Sequence, residues 1–340
     1  MSPSPLQDEY VLHKSEYEPD RQYKRKYRWD YIIFFIIFHI QAIYGIYLMI
    51  TSAKLLTTAF AFVLYLVALF SATAGSHRLW SHRAYKAKWQ LKLLLVIFQT
   101  IAFQETLYRW ILYHRLHHKY TDTNADPHNS KRGFFFSQIG WLMIEAHPDQ
   151  IEKRKTIDMS DIKSDPFVRF QIRYYYRMLF LFFAFLPTVI PWYFWNETLT
   201  NSWFVAVPLR YLFSLHITFF VNSWAHFWGN QPYDIGTTGR ETLFLSIITL
   251  GEGWHNYHHT FPWDYRASEF GGGRINVTTF VLKNIFGKIG WAYDFKTVSD
   301  DMIQKRIERT GDGSYSPSIW GWGDRDQTEE NKSFATIENF

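Results

Sequence analysis

Four stretches of the chain, 31–50, 55–75, 178–195 and 203–221, are apolar and almost free of charge, and polar segments separate them. Each is close to the length at which an α-helix, rising about 1.5 Å per residue, crosses about 30 Å of hydrocarbon. The pattern predicts four membrane-spanning helices. The link 51–54 is short enough to make the first two a hairpin, and Pro187 and Pro191 are expected to kink the third. Arg210 inside the fourth is costly in lipid and is expected to face the protein interior. A fifth apolar piece, Leu91–Phe103, is too short to span and is read as an interfacial segment that carries the chain to its next polar region.

A basic cluster, Arg21, Lys24, Arg25, Lys26 and Arg28, abuts the first span, and the positive-inside rule puts that end in the cytoplasm. Four crossings bring the chain back, so 76–177, 222–313 and both termini are expected to be cytosolic. Residues 1–28 read as a polar tail without the apolar core of a signal peptide, 29–313 as one membrane domain, and the Gly/Ser/Asp-rich 314–340 as a disordered tail. Gly133-Phe134-Phe135-Phe136, Trp141 and Lys153-Arg154-Lys155 suggest a stretch that hugs the interface, and Gly271-Gly272-Gly273 a loop. The fold class expected is an all-α integral membrane protein, four transmembrane helices carrying a cytosolic helical cap.

Composition sharpens this picture in two places. Cysteine is absent, which excludes disulfides, Cys-ligated zinc and iron–sulfur clusters. The net charge of +5 would suit nucleic acid in a soluble protein; beside membrane spans it points to anionic headgroups or an acidic ligand, not nucleic acid.

The chemistry lies in the histidines. His114, His117 and His118, then His255, His258 and His259, fall at i, i+3, i+4, one face of a helix. His77 and His82 form a third cluster. Imidazole suits iron, zinc, copper and nickel, and eight imidazoles exceed what one such ion uses, so the clusters predict a dimetal site held in the cap. Zinc would favour hydrolysis and iron oxygen activation, a choice that spacing leaves open. Apolar helices leading away from the site imply a long apolar substrate.

Three motifs carry a resemblance. Thr73-Ala74-Gly75-Ser76-His77-Arg78-Leu79-Trp80-Ser81-His82, His114-Arg115-Leu116-His117-His118 and Gly251-Glu252-Gly253-Trp254-His255-Asn256-Tyr257-His258-His259 resemble the stearoyl-CoA (acyl-CoA) desaturases, and Trp320-Gly321-Trp322-Gly323-Asp324 their insect branch. The resemblance implies a ninth ligand, His226, and Asn222 acting through a water. It implies two ferrous ions with molecular oxygen as co-substrate, cytochrome b5 and its reductase as electron source, and residence in the endoplasmic reticulum membrane. The implied reaction removes two hydrogens from a fatty acyl-CoA, giving a cis double bond and two waters, with carbon nine a candidate position. Asp126, Glu252 and Glu269 are candidates to orient the imidazoles. His147-Pro148-Asp149-Gln150 reads as a surface turn.

The chain departs from the family at the CoA grip, where Glu105, Leu112 and Tyr113 replace the usual residues and Phe219 replaces a Trp. Gln104 remains as a partner for the acyl carbonyl, and Lys153, Arg154 and Lys155 are candidates for phosphate contacts. By resemblance the acyl tunnel ends at Tyr65 and Leu69; Leu69 is large for that place, so chains shorter than stearoyl are expected. The alternatives are a related hydroxylase, acetylenase or conjugase, a desaturase of a non-CoA acyl lipid, and a catalytically silent lipid-binding relative.

Overall fold

The computed structural model describes residues 23–269 and 275–315. The expectations for residues 1–22, for Gly271-Gly272-Gly273 and for the tail beyond 315 lie outside the described residues. Among the described residues four helical runs are long and apolar enough to cross a membrane: α1 (Trp29–Thr51), α2 (Leu55–Ser81), α5 (Pro166–Trp195) and α6 (Leu199–Phe227). The stretches expected to span lie within them. Along α1, Ile33, Ile36, Ile37, Ile40 and Ile43 are exposed, while Phe35, Ala42, Gly45 and Leu48 are buried. A helix that turns isoleucine outward and keeps small residues inward is dressed for lipid. Gly45 lets it approach α6 closely: a Cβ there would sit 2.5 Å from the Phe204 carbonyl oxygen.

The link between α1 and α2 meets the link between α5 and α6. Glu197 accepts from the Lys54 backbone N–H (2.7 Å) and Thr57 Oγ1 (2.6 Å), and Lys54 Nζ donates to the Trp195 and Asn196 carbonyls. Both hairpin turns therefore lie together at one end of the bundle, and the histidines gather at the other.

Between α2 and α5 run α3 (Trp89–Ala102) and α4 (Leu107–Tyr120), bent by 86° at their junction. Leu91–Phe103 thus becomes one arm of a bent pair. His82 before the pair and His114 within its second arm lie 2.7 Å apart at Nε2, so the pair is a detour, not a passage that separates the clusters. Arg210 faces inward, as expected: Nη1 donates to the Ile101 carbonyl (2.7 Å) and Nε to Ala206 (3.2 Å). A cation at a helix C-terminus satisfies carbonyls that the helix itself leaves open.

The last turns of α2, Ser71–Ser81, widen to i→i+5 bonding, and His82 N–H donates to the His77 carbonyl (3.1 Å). In an ordinary α-helix residues five apart point in different directions; the wide turn is what lets His77 and His82 share a face. Beyond α2 a two-stranded antiparallel pair, β1 (Lys86–Ala87) and β2 (Ala292–Tyr293), ties the cap to the C-terminal region. The short helices α7 (His255–Thr260) and α8 (Asp300–Thr310) complete the cap. His147-Pro148-Asp149-Gln150 is not a surface turn: His147 is buried, and its Nδ1 accepts from Asp149 N–H at the start of the helix Pro148–Lys153.

Replacing Glu197 with Ala leaves two buried donors, Thr57 Oγ1 and Asn201 Nδ2, without this acceptor. Each such group costs about 1–3 kcal/mol, so Glu197→Ala is expected to lower the thermal unfolding midpoint in detergent by several degrees while leaving metal content unchanged.

Candidate metal centre

The histidine nitrogens converge on two points. His77, His82, His114, His118 and His258 form one group and His117, His226, His255 and His259 the other, with the donor atoms of each group within 4.8 Å of one another. Facing Nε2 atoms lie 2.9 Å apart for His77 and His258, 3.0 Å for His118 and His258, 3.0 Å for His226 and His255, and 3.3 Å for His117 and His259. Ligands about 2.1 Å from a common ion and at right angles to one another stand about 3 Å apart. The triplets on α4 and α7 are each divided between the two groups, so neither group forms without both helices. Burial, reinforced by neighbouring imidazoles, holds His82, His255, His258 and His259 well below the usual histidine range. They are neutral, the form that binds a metal. This donor set fits a pair of first-row transition ions.

The outward nitrogens have their own partners. Glu252 Oε2 is 3.0 Å from His77 Nδ1, and Oε1 accepts from Arg78 Nη2 (2.7 Å) and Nε (3.1 Å). Burial alone would raise the Glu252 carboxyl, but Arg78 and His77 hold it at about 2. Two glycines admit that carboxylate. Gly251 has φ +118°, and a Cβ on Gly253 would lie 2.2 Å from the Ser246 nitrogen. Asp126 Oδ2 takes His117 Nδ1 at 2.9 Å. His226 Nδ1 bonds Thr238 Oγ1 (2.7 Å), whose hydroxyl donates to Asp122. Asp122 had no sequence signal, because a hydroxyl from a distant segment links it to its imidazole. Glu269 does not orient an imidazole; it accepts from the hydroxyls of Tyr233 and Tyr315, each at 2.6 Å.

Two cavities lead to the centre and a third opens beside them. One of about 400 Å³ is lined by Phe34, Phe35, Gln104, Thr218, Phe219 and Asn222 and reaches His114. A pocket of about 50 Å³ shares Trp110, His114, Thr218 and Asn222 with it and ends at Leu69. A third, about 330 Å³, brings together Arg28, Arg109, Arg132 and Arg154 and shares Arg109, Tyr113, Trp141 and Leu142 with the first. Of the residues expected to meet substrate, Gln104, Phe219, Leu69 and Arg154 line these spaces. Lys153 and Lys155 line none of them, nor does Tyr65, which is buried with its hydroxyl on the Ile248 carbonyl (2.8 Å). His128, which is buried beside Asp126 and His117 and lines the first cavity, is a site residue the spacing argument passed over. Glu105 lines the first cavity, where Arg109 (3.2 Å) and the Tyr31 hydroxyl (3.2 Å) occupy its carboxylate.

Glu252→Gln removes the charge that His77 and Arg78 share and leaves the shape intact. Partners of this kind are worth about 10–100-fold in metal affinity. The expected outcome is a loss of that size at one of two bound ions, read as metal retained against graded chelator; Glu269→Gln is expected to leave retention unchanged.

Comparison with known proteins agrees with this geometry. Residues 53–267 match the family model described as fatty acid desaturase. The chain is 51% identical to the acyl-CoA Delta-9 desaturase of Acheta domesticus, over 94% of this chain and 89% of that protein. It is 48% identical to the acyl-CoA Delta-12 desaturase of Tribolium castaneum, over 94% of each. To the (11Z)-hexadec-11-enoyl-CoA conjugase of Bombyx mori it is 52% identical, over 84% of this chain and 86% of that one. With a buried, all-imidazole centre at the end of four apolar helices, this chain is an oxidoreductase and belongs to the fatty acid desaturase family.

Proposed function

We propose that the protein is a multi-pass membrane desaturase of the endoplasmic reticulum that inserts a cis double bond into a saturated fatty acyl-CoA. The observation that supports this most directly is an arginine-lined cavity that shares Arg109, Tyr113, Trp141 and Leu142 with an apolar cavity, which reaches His114 among nine convergent imidazoles. The relatives named for acyl-CoA substrates at about half identity support it independently.

In this reading His77, His82, His114, His118 and His258 hold one iron, and His117, His226, His255 and His259 hold the other, with Asn222 acting through a water. Bound iron supplies the oxygen chemistry that breaks unactivated C–H bonds. The protein's own residues do the rest. Arg28, Arg109, Arg132 and Arg154 offer planar donors to carrier phosphates, which replaces the expected contribution of Lys153 and Lys155. Gln104 Nε2 gives one hydrogen to Thr218 Oγ1 (2.9 Å) and keeps a second for the acyl carbonyl. Phe34, Phe35 and Phe219 sheathe the chain and exclude water. The histidine end of the bundle and both termini face the cytosol, where cytochrome b5 and its reductase deliver electrons; the basic segment before α1 supports that orientation.

Leu69 closes the small space beyond the metal centre, and chains shorter than stearoyl are favoured. A related conjugase or hydroxylase would share the metal site, and the conjugase relative makes that the second reading.

Expression in a desaturase-deficient yeast, with mass spectrometry of derivatised fatty acids, is expected to yield a new monoene of sixteen or fewer carbons, roughly the length that a tunnel end blocked by one bulky side chain admits. A conjugated diene or a hydroxy acid in its place would move the assignment to the second reading. Leu69→Ala is expected to shift preference toward longer chains by about 10-fold or more, since one or two methylenes are worth about 1–3 kcal/mol. Arg154→Ala is expected to raise KM for acyl-CoA with little change in kcat.

A further inference from the structure

Behind the wall of the apolar cavity a chain of hydrogen bonds runs from the metal-side turn of α6 into α1. Ser223 Oγ meets Gln138 Oε1 at 2.5 Å, and Gln138 Nε2 meets both His216 Nδ1 and the His216 carbonyl at 3.1 Å. His216 Nε2 meets His39 Nε2 at 3.0 Å, and His39 Nδ1 meets the Phe35 carbonyl at 2.6 Å. The far end fixes every proton. A carbonyl only accepts, so a His39 with one ring proton carries it on Nδ1 and presents a lone pair at Nε2. His216 must then donate from Nε2 and accept at Nδ1 from the amide of Gln138, which leaves Gln138 Oε1 to accept from Ser223. Each donor points away from the metal centre, and an amide link passes protons poorly, so the chain is suited to holding geometry and not to feeding protons inward.

What it holds is the turn that follows Phe219. Asn222 and Ser223 N–H both bond the Phe219 carbonyl, at 3.0 and 3.2 Å. Phe219 and Asn222 line the apolar cavity together with Phe35 and Leu215, and His226 follows three residues after Ser223. The chain's members come from α1, the helix Phe134–Gln138 and α6, three pieces with no covalent reason to keep a common depth.

We propose that Gln138 is a positioning residue: through His216, His39 and Ser223 it sets the depth of the Phe219–Asn222 turn against α1, and so the register of the acyl chain at the metal centre. The part concerning register rests on the desaturase reading; the part concerning the turn does not.

The test uses the full chain in detergent. In Gln138→Leu, Ser223 Oγ is left with the Phe219 carbonyl alone (3.3 Å) and His216 Nδ1 loses its donor, and hydrogen exchange of the amides of residues 221–226 is expected to quicken about fivefold, the effect of losing one such bond. Unchanged exchange in folded protein overturns the proposal. Gln138→Glu keeps an acceptor for Ser223 but demands a proton on His216 Nδ1, so it is expected to quicken exchange as well; wild-type protection in that variant refutes the proton assignment. Should Gln138→Leu fail to fold, Ser223→Ala removes the hydroxyl's bonds to Gln138 and to the Phe219 carbonyl (3.3 Å) and is expected to loosen the same amides; unchanged exchange there also overturns the proposal. In active enzyme, Gln138→Leu is expected to spread the product over neighbouring double-bond positions at unchanged iron content, and a single unshifted isomer counts against the register claim. A wild-type protein inactive on acyl-CoA would refute the substrate reading while the exchange result still judged the turn.

Discussion

Nine imidazoles brought out of water to two points constrain everything around them. Buried polar nitrogens without partners are expensive, and imidazoles facing one another cannot all be charged. The chain meets this by giving the outward nitrogens of His77, His117 and His226 acceptors in Glu252, Asp126 and Thr238. Those acceptors are themselves fixed, Glu252 by Arg78 and Thr238 by Asp122. Orientation passes outward in this way until it reaches backbone: Arg78 Nη1 ends on the Tyr265 carbonyl and Asp122 on Ser130 N–H. The cap is folded around its ligands.

Some of this was legible in the sequence. The triplets at i, i+3, i+4 announce themselves because the α-helical period puts them on one face, and the four apolar runs because lipid demands length and uniformity. His77 and His82 were legible as neighbours, but the wide turn that makes them coincide was not, since nothing in Ser71–Ser81 distinguishes i→i+5 from i→i+4 bonding in advance. His226 entered only through family likeness, as one histidine with no partner at helical spacing. Its support from Asp122 through Thr238 spans more than a hundred residues and has no local trace. Glu269 is the converse: a carboxylate near the last triplet in sequence, taken up by two tyrosines in space.

The arginines of the third cavity show the same limit from another side. Arg28 precedes α1, Arg109 lies in α4, Arg132 follows the Asp126 turn and Arg154 follows a short helix. Arg109 and Arg132 drew no notice in the sequence, Arg28 stood out only as part of the basic segment before α1, and of Lys153-Arg154-Lys155 only the middle member lines the cavity. A charge run reports composition, but a binding site depends on convergence, and convergence is a property of the fold.

Substrate register and metal position are built from the same elements. Leu69, Ala72 and Thr73 wall the small pocket on α2, and His77 and His82 follow on its last turns. On α6, Thr218 and Phe219 wall the cavity, and Asn222 and His226 follow. On α4, Trp110 lines the space one turn before His114. On the proposed reading, an acyl chain gripped by these walls would be measured against ligands a fixed number of residues further along the same helices and would need no separate ruler. The same reading accommodates relatives that are each about half identical to this chain and carry names with different double-bond positions. A one-methylene change at a wall residue would move the acyl chain past a centre that itself stays in place, so the product could vary without disturbing the imidazoles.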